Sequence, residues 1–185
     1  GLFWLLLVIM VSSGATELAV SQWASTLAES GLGVSKTVGD LAGPCLFSVF
    51  MGLGRILGAR FDDSARLRVM TGAGVLCVLS YLLIALAPIP ALSLAGCALC
   101  GFAVSVSWPM TLGLAAQAMP QGGMALFALL AFGGDIGCTT GPGLAGLVAG
   151  RCGDDLQMGI LGAIVFPLLM LAAMLGVGRK MKKVK

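Results

Sequence analysis

Charged and strongly polar residues are gathered into narrow clusters along this chain, and six long apolar stretches lie between them. The stretches cover residues 2–28, 37–58, 67–87, 91–118, 122–149 and 157–178, and the interruptions fall at 29–36, 59–66, 88–90, 119–121 and 150–156. A helix needs about 20 mostly apolar residues to cross the hydrocarbon layer, at 1.5 Å of rise per residue. The pattern therefore predicts an all-α integral membrane protein, a six-transmembrane-helix bundle forming a single domain over residues 1–185. The connections are short, so successive helices are expected to run antiparallel as neighbours or near-neighbours.

Two carboxylates break this pattern. Glu17 is the only charge in the first stretch, and Asp135 is the only charge in the fifth. A carboxylate at membrane depth costs a few kcal/mol on insertion scales, so such residues turn to a bundle interior, a water-filled path or a partner.

Composition agrees with the pattern. The 185 residues are 58% hydrophobic and 10% charged, with a mean hydropathy of +1.04. Soluble domains hold about 25% charged residues, so this chain has too little polar surface to offer water. Histidine is absent, which removes the commonest metal ligand and the usual proton shuttle near neutral pH. Of the six cysteines, Cys45, Cys77, Cys97, Cys100 and Cys138 lie in apolar stretches and read as small buried hydrophobes. Cys97 and Cys100 form a CxxC without a second pair, so neither a metal nor a cofactor is expected. The chain starts at Gly1 and enters the first apolar stretch with no initiator Met and no charged lead-in. It reads as the continuation of a longer polypeptide rather than as a signal peptide.

Basic residues set the expected orientation. Arg55, Arg60, Arg66 and Arg68 surround the second loop, and Arg179, Lys180, Lys182, Lys183 and Lys185 form the tail. The opposite side has only Lys36 and Arg151. This bias places both termini in the cytoplasm, with the tail touching anionic lipid rather than nucleic acid.

Glycines concentrate within the spans, as Gly52, Gly54 and Gly58 and again as Gly133, Gly134, Gly137, Gly141, Gly143 and Gly146. Small residues three or four apart let helix backbones approach closely, so the second and fifth helices read as packing helices. The same two share an echo. Gly39-Asp40-Leu41-Ala42-Gly43-Pro44 resembles Gly134-Asp135-Ile136-Gly137 followed by Gly141-Pro142. Helices two and five correspond if the bundle consists of two inverted three-helix repeats.

Six spans, an inside–inside topology, a basic second loop and Gly-Pro-rich helices two and five resemble one half of a major facilitator superfamily transporter. Glu17-Leu18-Ala19-Val20-Ser21-Gln22-Trp23-Ala24-Ser25, with Gly33-Val34-Ser35-Lys36-Thr37-Val38-Gly39-Asp40-Leu41, is similar to the seventh and eighth helices of bacterial sugar-transporter-like members. Gly134-Asp135-Ile136-Gly137 through Gly141-Pro142 and Gly146 resembles their eleventh helix. The likeness spans nearly the whole chain and implies the C-terminal six-helix half of a twelve-helix protein in a bacterial inner membrane. The loop departs from the superfamily signature, because Gly58 stands where its Asp would fall after Gly54 and Arg55, with Arg60 following.

The resemblance implies that the first and fourth helices line a central cavity, that the second and fifth meet the other half, and that the third and sixth support them. It thereby makes Glu17, Ser21, Gln22, Ser105 and Trp108 substrate- or ion-binding candidates, and Asp135 and Asp40 candidates for coupling or the seam between halves. Arg55 and Arg60 become the cytoplasmic gate loop. Polar content agrees, with Thr16, Glu17, Ser21, Gln22 and Trp23 in the first helix and Ser105, Ser107, Trp108 and Gln117 in the fourth. Glu17 and Ser21 share a face, one turn apart. Glu17 lies about 22 Å along its helix, past mid-membrane. There it can bind substrate hydroxyls, a cationic substrate, a proton or sodium, or remain a neutral acid bonded to a neighbouring helix. Removal from water favours the neutral form of a carboxyl group, which suits proton coupling. Trp108 precedes Pro109, where a kink is expected, and either stacks on a sugar ring or packs.

The expected function is secondary active transport of a small polar solute, a sugar or related metabolite, by alternating access with proton or cation coupling. No Gly-x-x-x-x-Gly-Lys-[Ser/Thr] segment is present to hydrolyse ATP. A membrane sensor or scaffold is the alternative. An enzyme is disfavoured, since the only paired carboxylates, Asp62–Asp63 and Asp154–Asp155, fall in loops and read as solvated caps.

Overall fold

The computed structural model describes residues 1–32 and 35–184, with the backbone alone for residues 30–32, 36 and 182–184. Gly33, Val34 and Lys185, and the side chains of Lys36, Lys182 and Lys183, lie outside the described residues, as does that part of the loop and tail readings. Among the described residues the chain is all-helical. Its helices are α1 (Leu2–Leu32), α2 (Lys36–Gly58), α3 (Arg66–Leu86), α4 (Pro90–Val104), α5 (Ser107–Ala118), α6 (Gly123–Arg151), α7 (Leu156–Gly162) and α8 (Val165–Val184). They supply six segments long and apolar enough to cross a membrane: Leu2–Glu29, Thr37–Gly58, Arg66–Leu86, Pro90–Ala118, Pro120–Arg151 and Leu156–Met181. That is the arrangement of a multi-pass membrane protein, and the boundaries lie within a few residues of those expected from the apolar pattern.

Two of the six spans are interrupted. The fourth changes from α4 to α5 at Ser105–Val106, and the sixth from α7 to α8 at Ala163–Ile164. Each break starts four residues before a proline, Pro109 or Pro167. A proline has no N–H for the carbonyl four residues back, and its ring collides with that carbonyl, so the helix opens there. By contrast α6 runs unbroken through Pro142 and its many glycines.

α1 is the hub, packed against α2, α4, α6 and α8. Leu6, Ile9 and Met10 on it are fully buried. Glycines make these contacts close. On α6, a Cβ at Gly137 would stand 2.8 Å from the Val11 carbonyl carbon and 2.9 Å from the Ala15 nitrogen. One at Gly141 would stand 2.6 Å from the Ala15 Cα. On the other flank a Cβ at Gly43 of α2 would lie 2.5 Å from the Ala24 carbonyl oxygen. Both Gly-Asp segments noticed in the sequence are therefore seated on α1 by their glycines. Lipid offers no hydrophobic drive between helices, so such backbone proximity supplies the dispersion contacts that hold the bundle. α2 also meets α4, where Gly54 and Gly58 face Phe102 and Val106, whereas Gly52 has no neighbour within 4 Å.

α3 closes the back of the bundle against α4 and α8. Its Tyr81 is fully buried, and the phenol donates a 2.9 Å hydrogen bond to the Thr16 carbonyl of α1. At one end of the bundle Gly1 lies beside Lys180, and Gly178 lies beside Leu67. The chain start, the end of α8 and the arginine-rich loop between α2 and α3 thus share one end, as an even number of crossings requires. At the other end α6 stops at a left-handed Gly153 (φ 77°). Asp155 then caps α7, accepting from the backbone N–H of Gln157 at 2.9 Å and of Met158 at 3.3 Å.

Candidate functional site

Glu17 occupies the middle of α1 and is half-buried. Ser13 and Ser21 stand one turn before and after it, making a polar stripe on one face of the hub helix. Ser13 is fully buried, and its hydroxyl has no partner. Among the described residues Glu17 has no hydrogen bond or ion pair. The Arg55 guanidinium of α2 lies within electrostatic reach of it, and its own charge reaches Cys100 on α4 and Cys138 on α6. The structure therefore keeps Ser21 one turn from Glu17 on α1, while Arg55 stays at the basic end of α2 and acts on Glu17 through its charge alone. It adds Ser13, which the i−4 spacing from Glu17 could have revealed.

Asp135 has the opposite setting. Gly133, Gly137 and Gly141 recur every fourth residue and bind α6 to α1, and Asp135 is two residues out of that register. It is consequently on the far face of α6, exposed, with Phe132 (63% exposed) and the exposed Thr139 and Thr140. Both threonine hydroxyls turn back to carbonyls of their own helix. The carboxylate is thus presented outward at mid-span.

Trp108 is half-buried, its six-membered ring lying on Gly134 and thereby against the Gly14–Gly134 contact of α1 and α6. Its indole N–H is buried without an acceptor. Ser105 is elsewhere: it is buried in the α2–α4 seam, and its hydroxyl donates to the Phe102 carbonyl at 2.7 Å. Thr16, Ser107 and Thr111 are also buried and satisfied, Thr16 and Thr111 by carbonyls four residues back and Ser107 by the Met170 sulfur. The fourth span, expected to face a cavity, is the most deeply enclosed of the six. Gln22 is exposed on α1, and Trp23 ties α1 to α6 through a 3.4 Å bond from its indole N–H to the Pro142 carbonyl.

Asp40 is exposed near the start of α2 and accepts from the Ser25 hydroxyl, which also lies 3.2 Å from a Glu29 oxygen. Arg55 and Arg60 are exposed at the basic end. The loop next to them is more organised than a solvated cap. Asp63 pairs with Arg66 and accepts from Gln117 of α5, so it joins the α2–α3 loop to the end of the fourth span. No local spacing announces that contact, since the partners are 54 residues apart in sequence.

Two further features escaped the sequence reading. Cys77 of α3 lies close to Cys100 of the CxxC, so that thiol has a neighbouring thiol from another helix. Gln157 reaches the Ile84 and Ala87 carbonyls and the Ser93 hydroxyl at 3.0–3.3 Å, satisfying the end of α3. No protein-family model, curated protein or solved structure matches the chain.

Proposed function

We propose that this chain is one half of a secondary active transporter, moving a small polar solute such as a sugar or related metabolite by alternating access. The observation that carries the reading is the pair of mid-span carboxylates. Glu17 is half-buried in the bundle with no ion pair among the described residues, and Asp135 is turned outward where lipid alone would be a costly neighbour. An outward carboxylate calls for a second membrane unit or a water-filled path. A second six-helix half supplies both, and this chain would then be the C-terminal half of a major facilitator-type protein. In this reading Glu17 is the proton- or sodium-coupling group, with Ser21 and Gln22 on the same helix and Trp108 near the knot of α1, α5 and α6. Asp135, with Asp40, serves the contact between halves. Arg55 and Arg60 flank the gate at the end bearing both termini, which the basic bias assigns to the cytoplasm.

The test begins with a thermal-shift screen of the full-length protein against sugars, nucleosides and amino acids, followed by uptake of the stabilising solute into vesicles. Glu17→Gln should abolish accumulation against a gradient while leaving the unfolding temperature unchanged. Accumulation that survives the substitution removes Glu17 from coupling. A protein that neither binds nor moves any solute removes the transport reading and leaves a sensor or scaffold.

A further inference from the structure

The basic end of the bundle carries a feature that the carboxylates do not explain. A recess of about 310 Å³ opens there between α2, the following loop and α5, lined by Arg55, Phe61, Arg66, Pro109 and Met110. The Arg66 side chain is 18% exposed, with its guanidinium laid over Gly113 of α5. One guanidinium nitrogen, Nη2, meets Asp63. The other, Nη1, is buried with no acceptor. Arg66 is already charge-paired with Asp63, so Arg55 on the same lining supplies the uncompensated positive charge that draws an anion into the recess.

An apolar groove of about 350 Å³ adjoins this recess and shares Gly58, Phe61 and Val106 with it. Leu57 of α2, Gly72 and Leu76 of α3 and Phe102 of α4 form its walls, and Arg60 stands on its rim. The walls reach only a few turns from the end of the span, which is the depth of the first acyl carbons. Gly72 keeps the groove open, since a Cβ there would meet nothing within 4 Å. Arg55 and Arg66 thus line an anion-sized recess, and Arg60 stands on the rim of the hydrocarbon-lined slot beside it, with Asp62 and Asp63 on the same loop.

We propose that this site binds one anionic phospholipid, its phosphate on Arg66 and Arg55 and an acyl segment in the groove walled by Gly72. Charge complementarity selects the occupant: a zwitterionic lipid brings no net charge to the arginines, and a free anion leaves the groove unfilled. Basic pockets between membrane helices recognise lipid headgroups on these terms, at about fivefold per arginine.

Native mass spectrometry of the intact protein, loaded with phosphatidylglycerol or phosphatidylcholine of identical chains, tests this. Retention of phosphatidylglycerol should exceed that of phosphatidylcholine by about fivefold or more, and Arg66→Gln or Arg55→Gln should each lower it by about fivefold. Gly72→Leu adds a side chain where a Cβ meets nothing within 4 Å and should also lower retention, with the unfolding temperature unchanged. If Arg66→Gln fails to fold because Asp63 loses its partner, Arg55→Gln and Gly72→Leu decide. Equal retention of the two lipids overturns the proposal. So does displacement by millimolar inorganic phosphate combined with indifference to Gly72→Leu, which would identify the recess as a free-anion site.

Discussion

Gly137→Ala is the sharpest test of how this bundle holds together. The added methyl would be driven into the Val11 carbonyl, with the Val11 carbonyl carbon 2.8 Å away and the Ala15 nitrogen 2.9 Å away. These are backbone atoms of a helix, with no flexible side chain to give way. Relief therefore requires α1 and α6 to separate by about 1 Å, which forfeits roughly a quarter to a half of each contact worth ~0.1–0.2 kcal/mol. Over on the order of 50 contacts along the seam the loss spans about 1–5 kcal/mol and centres near 2–3 kcal/mol, close to the range for overpacked cores. Alanine also improves helix propensity by up to ~1 kcal/mol, which masks part of the loss. Gly143→Ala on the same helix removes that ambiguity, because nothing lies within 4 Å of its Cβ position. Reversible unfolding in mixed micelles should place Gly137→Ala about 2–3 kcal/mol below Gly143→Ala. Two variants within about 0.5 kcal/mol of each other would show that the glycine seam is not what binds α6 to α1.

Asp135→Leu should ease membrane insertion of its segment by about 3–4 kcal/mol, read by glycosylation mapping, because the carboxylate lies near the centre of α6. Unchanged insertion would mean that Asp135 is at an interface or already paired in the inserted segment. Tyr81→Phe deletes the bond to the Thr16 carbonyl and should cost about 0.6–1.7 kcal/mol in the same micelle assay. A neutral result would show that this buried carbonyl does not need the phenol.

Hydropathy made the six spans readable, because a bilayer demands long apolar segments whatever their neighbours. Proline positions carried the break at Pro109 for the same local reason. Faces were harder to read. Ser105 and Thr16 counted as polar content for a cavity, yet each hydroxyl bonds a carbonyl of its own helix three or four residues back. Serine and threonine can satisfy themselves this way in any helix, so their presence does not reveal which side is wet. Glycine spacing was more informative, since a Gly seam has no other local use, and α6 is seated as that spacing suggests. Contacts between distant segments left no trace. Asp63 reads as a loop carboxylate until folding brings Gln117 to it, and Cys100 reads as half of a CxxC until α3 delivers Cys77.

The seams also explain why the two mid-span carboxylates differ. Rotating α6 to bury Asp135 would lift Gly133, Gly137 and Gly141 off α1 and lose the contacts that hold the pair, at a cost similar to the ~3 kcal/mol saved. Exposure of Asp135 is thus a consequence of glycine register. Glu17 is on the hub itself, and α1 is gripped by Gly39 and Gly43 on one flank and by Gly137 and Gly141 on the other. A helix held through backbone contact on both sides cannot slide without breaking both seams together. In the proposed transport reading, access to Glu17 would then change by movement of this six-helix unit as a body against a second half, the motion that alternating access requires.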